Sequence, residues 1–367
     1  MSGEFDPFGG WKKVVGQATG FFHLEAIGER DWLITPDGHG FLSLGINHID
    51  ATALKYPDNL LIWRKKYASE ENFIQQGVRT DILAWGFNTI GWTQEANVAN
   101  RTHTPPWTQT QYHLAKLPYC HLLPFSEIEM WNKYPRFPDV FAAEFAEWCD
   151  YIARLYCVDM ADDPWLIGYF YSDVPAWGTH PNRSAWADQL DGQTARGRAE
   201  LGRIAGQYYR TIHDAIRRYD QHHLLLGDRY NGQYPLPEIV LTAMADTVDV
   251  LSIQCFPPLD RFADQLPRWH ELTHKPVLLA DSAFLARNPL YRVHAQTEEE
   301  RGRLYAEWAE KLFRVPYFIG WHWCGYIENL CHGAGLKNHF DEPYTAAIRG
   351  IQQFNARVYP LVSGEPA

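Results

Sequence analysis

Eight short apolar runs, separated by longer stretches of helical periodicity, constrain this chain more tightly than any other feature. They are GFLSLGIN (Gly40–Asn47), FNTIGW (Phe87–Trp92), LPYCHLLPF (Leu117–Phe125), WLIGYFYSD (Trp165–Asp173), HLLLGDR (His223–Arg229), VDVLSIQCF (Val248–Phe256), PVLLADS (Pro276–Ser282) and FIGWHWCGY (Phe318–Tyr326). Runs this apolar suit strands buried on both faces. Between them the spacing predicts a helix capped by Ser69, others over Asp139–Cys157, Thr194–Tyr219 and Thr297–Val315, a short one over Ile239–Ala245, and a closing one near Pro343–Val358. Pro105 and Pro106 mark the polar stretch Thr93–Tyr112 as a loop. Strands that alternate with helices pair in parallel, and eight such units predict a closed (β/α)8 TIM barrel, an α/β fold with long βα loops. The reading is one domain, with an N-terminal extension over residues 1–20 and the barrel over about 21–359. A doubly wound open sheet would carry a glycine-rich phosphate loop after its first strand, and LGINHID is not one.

Composition narrows the partners. The net charge is −11, and WRKK (Trp63–Lys66) is the densest basic cluster, which argues against nucleic acid or an anionic membrane. No stretch approaches the 18 apolar residues of a membrane span. The first residues carry no apolar leader, and the six cysteines form no CxxC pair, so reduced thiols in a cytoplasmic protein are expected. Fifteen Trp, twenty Tyr and nineteen Phe exceed what one core needs. Surplus rings suit a carbohydrate site or an interface between copies of the chain, so a homo-oligomer stays open.

In such a barrel the chemistry lies at the C-terminal ends of the strands. Those ends carry Asn47, His48, Trp92, His121, Asp173, Asp228, Arg229, Gln254, Asp281, His322 and Trp323, with Trp177 and Glu328 in the loops that follow. A polar residue placed after a strongly apolar run must face the mouth or find a partner. Together these residues describe a polar cup rimmed by aromatic rings.

The chain resembles the (β/α)8 glycoside hydrolases of clan A, most closely the β-agarase-type family. LITPDGHGFLSLGIN, FNTIGW, GYFYSDVPAWG, KPVLLADSAF and FIGWHW are similar to that family's first, second, fourth, seventh and eighth strands, and GLKNHFDEPYTAAIRGIQQFN to its C-terminal segment. The resemblance implies a sugar substrate, no cofactor or metal, a general acid/base after strand four and a nucleophile after strand seven. One group protonates the leaving oxygen while the other supports an oxocarbenium-like carbon. It further implies sugar contacts from Asn47 and His48, and from His322.

Two positions depart from the family. Its strand-four wording GYF--NE--WG places Asp173 on the Asn and Val174 on the acid/base Glu, and PVLIGEF becomes PVLLADS, with Asp281 in the nucleophile's place. The first reading is therefore a glycosidase with an Asp173–Asp281 pair, acid and nucleophile or base, and Glu328 as substitute acid. Long inserts at Thr93–Lys116 and His180–Gln193 point to exo action on small glycosides or oligosaccharides. Two other readings stay open. One is a non-catalytic sugar binder stacking on Trp92, Trp177, Trp321 and Trp323. The other is a hydrolase whose metal is held by His48, Asp173, Asp228, Asp281 and His322.

Overall fold

The computed structural model describes residues 3–94, 104–130, 137–177, 190, 194–287, 293–328 and 333–364. The chain opens with four short strands, β1 (Trp11–Val15), β2 (His23–Ile27), β3 (Arg30–Ile34) and β4 (His39–Phe41), in an antiparallel sheet of order β1-β4-β3-β2. Eight further strands close the barrel: β5 (Ser43–Asn47), β6 (Thr89–Trp92), β7 (Tyr119–Leu122), β8 (Leu166–Asp173), β9 (Leu224–Asn231), β10 (Leu251–Gln254), β11 (Val277–Ser282) and β12 (Phe318–Trp323). Every neighbouring pair is parallel, and β12 returns to β5 with Gly320 opposite Ser43 and Trp323 opposite Ile46. The expected (β/α)8 barrel is the fold.

GFLSLGIN, read as one strand, is shared between the two sheets. His39–Phe41 belongs to the small sheet, and Ser43 begins the barrel. Gln109–Ala115 is a helix within a stretch read as loop. Its signal is the TxxQ capping box: Thr108 accepts from the Gln111 amide while the Gln111 side chain accepts from that of Thr108.

Two apolar layers follow from strand alternation. Inside the barrel, Cys120, Leu122, Ile167, Phe170, Leu224, Leu226, Val250, Leu278 and Ile319 pack together, and Phe22, Leu33 and Phe41 of the small sheet join them. Outside, residues such as Ile46, Tyr169, Tyr171, Ile253, Trp321 and Trp323 pack beneath the helices. This division decides which strand-end residues face the mouth.

Candidate active site

Asp281 ends β11 on the inner face and is 1% exposed. Asn47, two strands away at the end of β5, donates from Nδ2 to the Ala280 carbonyl at 2.7 Å and to Asp281 Oδ1 at 2.6 Å. Gln254 on the adjacent strand, paired in register with Asp281, donates to Oδ2 at 3.0 Å. His48, in the left-handed region at φ 51°, donates from Nδ1 to the Gln94 carbonyl at 2.7 Å. That bond turns Nε2 toward Asp281 Oδ2, 3.9 Å away, too far for a hydrogen bond but close enough to act through space. Burial pushes the Asp281 carboxyl up, but the Arg229 charge, with His48 and Asn47, outweighs it and holds the group down at about 2. Asp281 is therefore held as an anion at neutral pH.

Arg229 is the other charged centre. Gly227, at φ 68°, interrupts the alternation of β9, so Asp228 turns outward and Arg229 inward. Its guanidinium lies 3.7 Å over the Trp92 ring, donates to Asp173 Oδ1 at 2.9 Å, and reaches the Ala280 carbonyl at 3.4 Å. Asp173, in register opposite Arg229, is thereby one half of a buried ion pair. The two side chains are buried together, so each offsets the cost of burying the other. Among the described residues Asn47 Oδ1, Gln254 Oε1, Arg229 Nε and His322 Nδ1 are buried polar atoms without a hydrogen-bond partner. Buried polar atoms are nearly always satisfied, so this cluster stands out.

Several candidates lie elsewhere. His121 points out of the barrel toward Tyr112 and Tyr156, with its Nδ1 3.3 Å from the Tyr112 hydroxyl, and burial lowers it to about 3. Asp228 accepts from Ser172 at 2.7 Å, Tyr209 at 2.5 Å and the Trp177 indole at 3.3 Å, beneath the helix Ala195–Arg217. Trp177 stacks on Tyr209 there, Trp323 donates to the Ala334 carbonyl against Tyr305, and Trp321 packs on the same Tyr305. Trp92 is covered by Arg229. The four tryptophans read as stacking platforms are thus all buried, Trp177, Trp321 and Trp323 of them in the outer layer beneath the helices. His322 does face inward, as a neutral floor under the site. Its ring fills the space that a Cβ at Gly45 or Gly91 would occupy, and Nε2 lies 2.8 Å from Ser43 Oγ. Burial and the Arg229 charge lower it to about 3 against the pull of Asp281. Glu328 accepts from the Tyr344 hydroxyl at 2.8 Å, a structural partnership at the rim. Most of the His180–Gln193 insert lies outside the described residues, as does 95–103 of the Thr93–Lys116 insert.

The five metal ligands of the third reading do not converge, since Asp228 lies behind the strands and His322 beneath them. A different trio does. His48, Asp281 and Cys324 each offer one ligand atom within 4.8 Å of the others. Cys324 follows WHW directly beside β11, and the barrel's closure between β12 and β5 brings His48 to the pair. The five described cysteines are buried and form no disulfide with one another. A cavity of about 560 Å³, lined by Phe5, Trp11, Asn88, Pro118 and Tyr359, includes none of the polar residues of the mouth.

A parallel eight-stranded barrel with acidic residues ending its fourth and seventh strands has the architecture of barrel glycosidases. The chain resembles, over nearly its whole length, the β-agarase-type glycoside hydrolases of clan A. No protein-family model matches it. β-Agarase A of Vibrio sp. (strain JT0107) is 23% identical over 386 residues, covering 83% of this chain and 37% of that protein. β-Agarase B of the same strain is 26% identical over 177 residues, covering 44% and 18%. The chain spans well under half the length of these relatives. Among solved structures, an exo-β-agarase superposes with a TM-score of 0.80 at 18% identity, over 99% of this chain and 69% of that one. A Bacteroides uniformis β-glucuronidase gives 0.61 at 11% identity, over 91% and 37%. These superpositions speak for the fold. No described helix is long and apolar enough to cross a membrane.

Proposed function

We propose that this chain is a glycoside hydrolase that cleaves small glycosides or oligosaccharides in exo mode at the mouth of the barrel. The observation that carries the reading is the Asp281 carboxylate, held ionised at the end of the seventh barrel strand and ringed by polar atoms without partners. An anion fixed in a dry site stabilises a developing oxocarbenium carbon, either by bonding to it or by taking a proton from attacking water. Asp173 flanks the bond from the fourth strand, where its Arg229-paired carboxylate accepts sugar hydroxyls. The agarase and glucuronidase likenesses support a carbohydrate substrate.

A panel of nitrophenyl glycosides and natural oligosaccharides tests this with wild type, Asp281→Asn and Asp173→Asn. Asp281→Asn is expected to lower kcat/KM by at least about 10³-fold with the fold intact by circular dichroism, and azide to restore part of the rate. Asp173→Asn is expected to raise KM more than it lowers kcat. Turnover untouched by Asp281→Asn would sink the assignment. The His48–Asp281–Cys324 trio supports a second reading, a hydrolase that holds a divalent cation there. Loss of turnover on chelation, restored by zinc, would favour it.

A further inference from the structure

The sequence replaces the usual proton donor with Val174, and the structure commits the neighbouring Asp173 to Arg229. Another carboxyl is carried beside that turn. The loop after β7 runs back along the loop after β8. The Ala176 amide donates to the Ile128 carbonyl at 3.0 Å, the Met130 amide donates to the Val174 carbonyl at 3.0 Å, and Glu129 sits opposite Pro175 between these bonds. Directly opposed residues of an antiparallel pair share a face, and successive residues alternate. Ile128 is fully buried in the outer apolar layer with Trp177 and Tyr208, so Glu129 takes the other face, one residue from Val174.

We propose that Glu129 is the proton donor of this site, a role supplied from the loop after the third barrel strand instead of the end of the fourth. The inference rests on the glycosidase reading above. Glu129 is 8% exposed and so largely shielded from bulk water. Burial foremost, then the charges of Asp173 on β8, Asp228 on β9 and Glu127 in its own loop, push its carboxyl up to about 8. Tyr208, on the helix packed outside, adds no positive charge. Of these carboxyls, Asp173 has Arg229, and Asp228 has the hydroxyls of Ser172 and Tyr209 and the Trp177 indole. Among the described residues no ion pair engages Glu129, and its upward shift favours the protonated form.

In the step itself the Glu129 O–H bond breaks and its proton bonds to the glycosidic oxygen. The bond from that oxygen to the anomeric carbon breaks, and its electron pair stays on the oxygen. The carbon receives a lone pair from Asp281, or from a water whose proton Asp281 takes. Glu129 is left as a carboxylate and regains its proton from water.

The test compares two forms of whichever glycoside the panel selects, the dinitrophenyl form with a good leaving group and the methyl form with a poor one. In Glu129→Gln, turnover of the methyl glycoside is expected to fall by about 10²–10⁴-fold, while the dinitrophenyl glycoside changes by less than about 10-fold. The wild-type fall in kcat/KM above pH about 8 is expected to disappear in the variant. Equal losses on both substrates, or none on either, overturn the role. So does leaving-group dependence that appears in Asp173→Asn and not in Glu129→Gln. A wild-type protein that hydrolyses no glycoside overturns the glycosidase reading and the role of Glu129 with it. Hydrolysis indifferent to Glu129→Gln overturns the role alone.

Discussion

His121 and His322 are fully buried and held neutral, each lowered to about 3, well below the ordinary imidazole value. Unfolding releases both into water, where they bind protons below pH about 6.5. The unfolded state therefore gains protons that the folded state refuses, and stability falls as pH drops from about 6.5 toward 3. At pH 5 each ring costs about 2 kcal/mol. Urea denaturation at pH 7 and pH 5 should show this, and His121→Gln should reduce the difference by about that amount. Faces, unlike strand ends, were hard to read from the chain. Asn47, Gln254 and Asp281 were legible because each directly follows an apolar run and each does face the mouth. Asp228 and Arg229 follow the same run, yet the positive φ of Gly227 decides which of them turns inward. His121, Trp177 and Trp323 passed as site residues because identity alone does not say to which layer a residue belongs. Glu129 and Cys324 carried no motif, and their places depend on a loop pairing and on the register of β11 against β12.

The turn after β8 is the element where sequence and backbone disagree most. Val174 holds φ 38°, a conformation that a β-branched residue adopts only under constraint. Its amide donates to the Arg229 carbonyl at 2.8 Å and its carbonyl accepts from Met130, so the neighbouring loops impose the conformation. Strain of this kind costs about 1–3 kcal/mol. Val174→Gly should therefore lose packing but regain strain, with a net change in unfolding free energy below about 1 kcal/mol. Val277→Gly, in the extended and fully buried β11, has no strain to recover and should lose about 3 kcal/mol. Equal losses at the two positions in chemical denaturation would show that the turn holds no strain. At this scale the eight barrel strands and the long helices were legible from periodicity, whereas the helix Gln109–Ala115 was hidden behind two prolines and announced only by its cap.

At the scale of the whole molecule, we take the small sheet and the barrel as one folding unit. Phe22, Leu33 and Phe41 bury their side chains among Ile167, Leu224, Leu278 and Ile319 inside the barrel. Arg30 on β3 donates to the carbonyls of Phe313, Val315 and Phe318, where the last helix–strand connection enters β12. Phe41→Ala should lose about 3–5 kcal/mol in a single transition that melts both parts together. A two-step melt would separate them. The barrel was legible as a count of alternating units, but its stopper was not, because a short antiparallel sheet has no signature distinct from the first barrel strand with which it shares a run.

That stopper makes the mouth a one-door room. Leu33 and Phe41 of the small sheet, with Phe22 just before β2, pack into the barrel's apolar interior. On the proposed glycosidase reading, whatever enters over Asp281 backs out along its own path. A released sugar and an incoming substrate would then contend for one passage. Turnover should slow as cleaved sugar accumulates, in a pattern that excess substrate overcomes.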